Sequence, residues 1–163
     1  MQINKIELAI ELIDQNTNCE VEAVSSIYES DPYGEIQQNE FFNAVFKIKT
    51  YFEVKELFHF LKSVEHQVGR TVTRKWGPRE IDLDILFYND IILSDDEITI
   101  PHKDLLNRDF VLIPLLEIAP ELIHPVINKK ISEISIFKHE SEHSSAQQIK
   151  SYIIRKIPHK VLI

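Results

Sequence analysis

The chain has 163 residues and a formal net charge of −8, with 44% hydrophobic and 27% charged residues. That length sets the expectation of one domain over residues 1–163, with enough chain to bury a proper core. The negative balance argues against broad nucleic-acid binding, no apolar run approaches the ~20 residues of a bilayer span, and a single cysteine, Cys19, rules out an internal disulfide. No signal peptide is recognisable, so the expected location is the reducing cytoplasm. Gly34, Gly69 and Gly77 are the only glycines, and none has a glycine neighbour. A phosphate-cradling loop or dinucleotide fingerprint needs several glycines close together. Any nucleotide must then be held by side-chain cations and metal.

Ile6, Ala9, Ile10 and Ile13 recur at helical spacing, which predicts an amphipathic helix over about 4–15. Asn16 to Asn18 reads as a turn and 20–28, rich in valine and serine, as a strand. Residues 29–40 carry Pro32 and Gly34 and read as a long loop, a kind of segment that often carries function. From Phe41 to Tyr51 the pattern alternates, with Phe42, Ala44, Phe46 and Ile48 on one face and Asn43, Val45, Lys47 and Lys49 on the other. Val54, Leu57, Phe58, Leu61, Val64 and Val68 mark a helix ended by Gly69, with Glu65 at the edge of its apolar stripe.

The next stretch is the centre of the reading. Trp76-Gly77-Pro78 reads as a turn, and 80–87 then alternates as a strand, Ile81, Leu83, Ile85 and Phe87 inward, Asp82, Asp84 and Leu86 outward. Two carboxylates on one strand face lie roughly 6.5 Å apart at Cα. They repel unless a cation lies between them, and hard oxygen ligands suit Mg²⁺. Taken alone, Asp-x-Asp is more often a solvated strand face. Here Arg70, Arg74, Lys75 and Arg79 stand just upstream, and acids beside cations suit a metal-bound polyphosphate. Short strands are expected at 91–93 and 97–100, an irregular stretch from Pro101-His102, and an apolar helix over 110–118 with Pro114 as a kink or boundary. The tail from Lys129 is polar until 152–163, which reads as a last strand.

Trp76-Gly77-Pro78-Arg79, Asp82-Leu83-Asp84, Pro101-His102 and Asn107-Arg108-x-Phe110 occur in this order and spacing. With Ser25-Ser26-x-Tyr28, Phe42-Asn43-Ala44, Pro114-Leu115 and Glu117-Ile118-Ala119-Pro120, they make the chain resemble the 6-hydroxymethyl-7,8-dihydropterin pyrophosphokinase family over about 4–125, with 129–163 a variable tail. The resemblance implies an α/β (α+β), ferredoxin-like fold, a largely antiparallel sheet with helices on both faces. It also implies transfer of pyrophosphate from ATP to the hydroxymethyl group of a reduced pterin with two Mg²⁺ ions, in a monomer.

By the same resemblance Asp82 and Asp84 hold both metals, while Arg70 and Arg79 neutralise phosphate oxygens. Glu65, Ile85, Thr99, His102 and Arg108 stand at nucleotide positions. The pterin lies between Phe41 and Phe110, an aromatic sandwich with stacking worth ~0.5–1.5 kcal/mol per pair. Asn43 meets its polar edge, Ser30, Pro32 and Tyr33 belong to the pterin loop, and Trp76 covers the site. Each residue alone has a blander reading: Phe41 and Phe110 as packing, Asn43 as a strand-end polar group, Arg70 as solvated, His102 as a turn cap. The joint pattern favours the site.

The departures are specific. The family opens with a strand ending in Gly-Ser-Asn, central in its sheet, whereas this sequence opens at the following helix. Leaving out an interior strand exposes its neighbours' backbone groups, at about 1–3 kcal/mol each where buried. The expectation is a start upstream of Met1; the alternatives are a tail, 152–163, that fills the gap, or an inactive relic that binds pterin or nucleotide without turnover. Val72 and Glu97 replace two family arginines, Lys103 an aromatic, and Phe41 a tyrosine. His139-Glu140-Ser141-Glu142-His143 satisfies H-E-x-x-H, but its polar flanks lack the buried helix that zinc chemistry needs. It reads as an exposed polar segment.

Overall fold

The computed structural model describes residues 2–30, 41–69, 81–134 and 153–157, with side chains described within 3–30, 41–69 and 81–134. The first helical stripe becomes α1 (Gln2–Asp14), with Ala9, Ile10 and Ile13 buried. The second becomes α2 (Val54–Gln67), which buries Val54, Leu57, Leu61 and Val64. A capping box opens α2: the Glu53 backbone N–H donates to Glu56 Oε2 at 2.9 Å while the Glu53 side chain accepts in return. Gly69, at φ 103°, stands just past the C-cap, where a side chain would be penalised.

The expected strand at 20–28 is two strands, β1 (Cys19–Val24) and β2 (Ile27–Ser30), and that at 41–51 is likewise β3 (Phe41–Asn43) and β4 (Phe46–Thr50). Both break at the same level. Ser25 accounts for it: its N–H donates to Val45 O at 2.8 Å, and its own hydroxyl oxygen accepts the Val45 N–H at 2.9 Å. A side chain thus stands in for a backbone acceptor where the ladder is interrupted, without leaving Val45 unbonded. β1 pairs antiparallel with β4, and β2 with β3. Glu29 and Ser30, expected in a loop, are strand residues, because Ser30 still pairs with Phe41.

Alternation along β4 divides the interior. Phe46 and Ile48 pack into a core with Ala9 and Ile13 of α1 and Leu57, Leu61 and Val64 of α2. Val45 packs on the opposite side with Leu105, Leu112, Leu115, Ile131 and Ile134. Leu112 and Leu115 belong to α3 (Asp109–Ile118), so helices cover both sides. Pro114 is buried inside α3 instead of ending it. One short antiparallel pair follows the expected positions, β5 (Leu93–Ser94) with β6 (Thr99–Ile100), and a second, β7 (Ile123–His124) with β8 (Lys129–Lys130), forms where the sequence pattern predicts no strand. No described helix is long and apolar enough to cross a membrane.

One expectation is corrected and another is met. Residues 81–85 keep the alternating burial of a strand, with Ile81, Leu83 and Ile85 buried and Asp82 and Asp84 exposed, but Leu86, expected outward, and Phe87 are both partly buried against the core around Val45, and the segment joins no ladder among the described residues. Side chains and a distant amide serve the backbone instead: Leu83 N–H donates to Glu65 Oε1 at 2.7 Å, Lys62 Nζ donates to Leu83 O at 3.3 Å, and His102 N–H donates to Leu86 O at 3.0 Å. The tail forms the expected strand, β9 (Ile153–Ile157). It pairs antiparallel with β2, on the edge away from β3.

Candidate active site

Asp82 and Asp84 flank the buried Leu83 and leave the same side of an extended segment. Their side chains are 36% and 41% exposed, enough for an ion to reach them. Around Asp82 the neighbours come from α2, where Lys62 Nζ lies 3.5 Å from Asp82 Oδ1 and 2.7 Å from Glu65 Oε1. Glu65 is fully buried, so the side chain expected at the edge of the helix stripe is in the interior. It anchors Leu83 and hence the register of both acids. Beside Asp84 lies His102, its Nε2 3.7 Å from Oδ2, in the turn after the cis Ile100–Pro101 peptide.

The donor set fits magnesium. Two carboxylates give hard oxygen ligands, and no group of three or more His, Cys, Asp or Glu that could hold a metal ion occurs among the described residues. A protein share of one or two carboxylates, completed by phosphate oxygens and water, is how Mg²⁺ is held on polyphosphates.

Ile85 is buried in the core that α2 covers, and Thr99 lies in β6 opposite Ser94. Arg108 caps the start of α3, with Nη2 donating to Asp104 Oδ2 at 3.2 Å and its guanidinium 5.8 Å above the Phe110 ring. Phe110, in the first turn of α3, and Phe41, on β3, are both partly exposed, and α3 packs against β2 and β3. Asn43 faces Tyr28 across the β2–β3 pair, and its Nδ2 donates to the buried Ser30 hydroxyl at 2.8 Å. The amide is therefore oriented, with its carbonyl oxygen turned away from Ser30. Pro32, Tyr33, Arg70, Trp76 and Arg79 lie outside the described residues, as does the H-E-x-x-H sequence at 139–143.

Sequence reasoning passed over two groups that hold this region together. Lys62 was one; the (i, i+3) pair it makes with Glu65 was a visible signal. Glu117 is the other, and the sequence marks it only as part of a motif. Its carboxylate accepts from Ser26 N–H at 3.2 Å, Ser26 Oγ at 2.7 Å and Tyr28 Oη at 2.9 Å, tying α3 to β2. Burial foremost, and then the bond to Glu117, push the Tyr28 hydroxyl up to about 12.

An α+β frame that presents paired carboxylates beside a lysine and a histidine, with an oriented amide and two accessible phenylalanines on neighbouring elements, suits an enzyme that handles a metal-bound phosphate and a flat polar ring. Comparison with known proteins narrows this class. A family model described as 7,8-dihydro-6-hydroxymethylpterin-pyrophosphokinase matches residues 1–120, and the chain belongs to that family. It is 43% identical over 132 residues to the 2-amino-4-hydroxy-6-hydroxymethyldihydropteridine pyrophosphokinase of Aquifex aeolicus, covering 81% of each chain. The enzyme of the same description from Haemophilus influenzae is 40% identical over 123 residues, 76% of this chain and 77% of the relative. The folic acid synthesis protein FOL1 of Dictyostelium discoideum is 41% identical over 110 residues, 68% of this chain and 17% of that longer protein.

Proposed function

We propose that this chain transfers pyrophosphate from ATP to 6-hydroxymethyl-7,8-dihydropterin, the pyrophosphokinase step of folate biosynthesis. The observation that carries the reading is the family match, which encloses an exposed acid pair held in register by a buried glutamate. The hydroxymethyl oxygen bonds to the β-phosphorus of ATP as the bond from that phosphorus to the α,β-bridging oxygen breaks. AMP leaves with the bridging oxygen, and the hydroxyl proton passes to water. Asp82 and Asp84 hold two Mg²⁺ ions in this reading. When bound, magnesium neutralises the phosphate oxygens and makes the phosphorus a better electrophile.

The protein's own share is positioning. Asn43, turned by Ser30, pairs with the polar edge of the pterin, and Phe41 and Phe110 stack on its faces. His102, Thr99, Arg108 and Ile85 line the nucleotide side; Glu65, at that same side, acts by anchoring Leu83. By the family resemblance Arg70 and Arg79 neutralise phosphate oxygens, Trp76 belongs to the pterin site, and Pro32 and Tyr33 belong to the loop that contacts the pterin. The sheet is read as ferredoxin-like, supported by antiparallel pairing and by cores on both of its sides.

The test is AMP release from ATP and the hydroxymethyl pterin in magnesium. Turnover is expected from the unaltered chain. Asp82→Ala and Asp84→Ala are each expected to lower it by on the order of 100-fold or more, with circular dichroism and melting nearly unchanged. Turnover retained in either variant removes the metal assignment. A chain that binds pterin and turns over nothing is a relic.

A further inference from the structure

The lysine beside the acid pair does more than neutralise it. Lys62 Nζ donates to Glu65 Oε1 at 2.7 Å and to Leu83 O at 3.3 Å, so two acceptors hold it in place apart from Asp82. Its Nζ also lies over the Phe58 ring, 5.4 Å from the centroid. From this seat the ammonium reaches Asp82 Oδ1 at 3.5 Å. A divalent ion taking that oxygen would face an anchored positive charge a few ångströms away. Polyphosphate oxygens would find both cations attractive.

We propose that Lys62 is a resident counter-cation of Asp82 that weakens divalent binding to the nucleotide-free acid pair and couples metal entry to the arrival of phosphates. This rests on Asp82 and Asp84 being the metal ligands. In the free protein Lys62 competes for Oδ1 and repels the ion; with nucleotide present, the phosphate charge screens lysine from metal. Lys62 is a positioning residue here, acting through Asp82.

The experiment titrates the 163-residue chain with Mn²⁺, following free ion by paramagnetic resonance, without nucleotide and with a non-hydrolysable ATP analogue. Lys62→Met and Lys62→Gln are expected to tighten nucleotide-free Mn²⁺ binding by roughly three- to tenfold, and to change binding with the analogue less. Lys62→Arg keeps the charge and should keep the weak nucleotide-free binding. Unchanged or weaker nucleotide-free binding in both neutral variants overturns the proposal. A readout on the unaltered chain covers the case in which those variants do not fold. The Lys62 ammonium ¹⁵N resonance should move when Mg²⁺ and analogue are added together and stay put with the same Mg²⁺ alone; equal movement in both refutes the coupling. Asp82→Asn and Asp84→Asn serve as the separate control. If they leave Mn²⁺ binding untouched, the metal assignment has failed, whatever Lys62 does.

Discussion

Replacing Glu65 with alanine probes how an extended segment without a described ladder partner is held. Glu65 is 0% exposed and accepts Leu83 N–H and Lys62 Nζ, each at 2.7 Å. Its loss leaves a buried N–H without that acceptor, at about 1–3 kcal/mol, and opens space where the side chain packed. Removing one partner of a fully buried ion pair costs about 3–5 kcal/mol, but the Lys62 side chain is 28% exposed and keeps Asp82 within reach, so most of that figure is recovered by water. The expected sum for Glu65→Ala is about 3 kcal/mol, roughly 6–12 °C in melting temperature for a chain of this size. Glu65→Gln, which keeps an oxygen for Leu83, should cost about 1 kcal/mol. Urea unfolding followed by circular dichroism measures both, and hydrogen exchange at the Leu83 amide reads the same bond locally. A Glu65→Ala cost under about 0.5 kcal/mol, with Leu83 exchange unchanged, would show that the segment is held by something else.

Ser30→Ala frees the Asn43 amide to turn, and the pterin KM is expected to rise by roughly fivefold while the ATP KM stays level; equal changes in both would point to general damage. Tyr28 has a folded-state pKa raised to about 12 from 10.0, so the stability it contributes is present below pH 10 and is lost as pH climbs from 10 towards 12. Tyr28→Phe should remove that alkaline loss in a pH series of urea melts. Burial pushes the His124 imidazole below its ordinary 6.5, the reverse sign: the unfolded chain takes up the proton first, so stability is intact above about pH 6.5 and falls as pH drops below it. His124→Gln should flatten that acid limb, and an unaltered slope would assign it to other groups.

The three long helices were legible because their signal is local. Apolar residues at i, i+3 and i+4 select one face wherever that face later packs, and Gly69 marks its stop by backbone freedom alone. The alternation over 81–85 is equally legible, and it correctly separates Leu83 from its two flanking acids, although it misplaces Leu86, which packs inward beside Phe87. What it could not say was whether a neighbour pairs with the segment. The answer lay in Glu65 and Lys62, some twenty positions earlier on a helix, where either side chain could as well have been solvated.

Sequence by itself therefore determined which side chains of the helices share a face, where the helices lie to within a few residues, and, through motifs at set spacings, the family. Tertiary structure alone decided that β9 borders β2, that Ser25 bridges a break in the strand pair, that Ser30 turns Asn43, and that a lysine rests against Asp82. The reason is physical. Periodicity is a property of consecutive residues, while hydrogen-bond partners and burial depend on which distant segments meet, and a chain carries that information only in its folded packing.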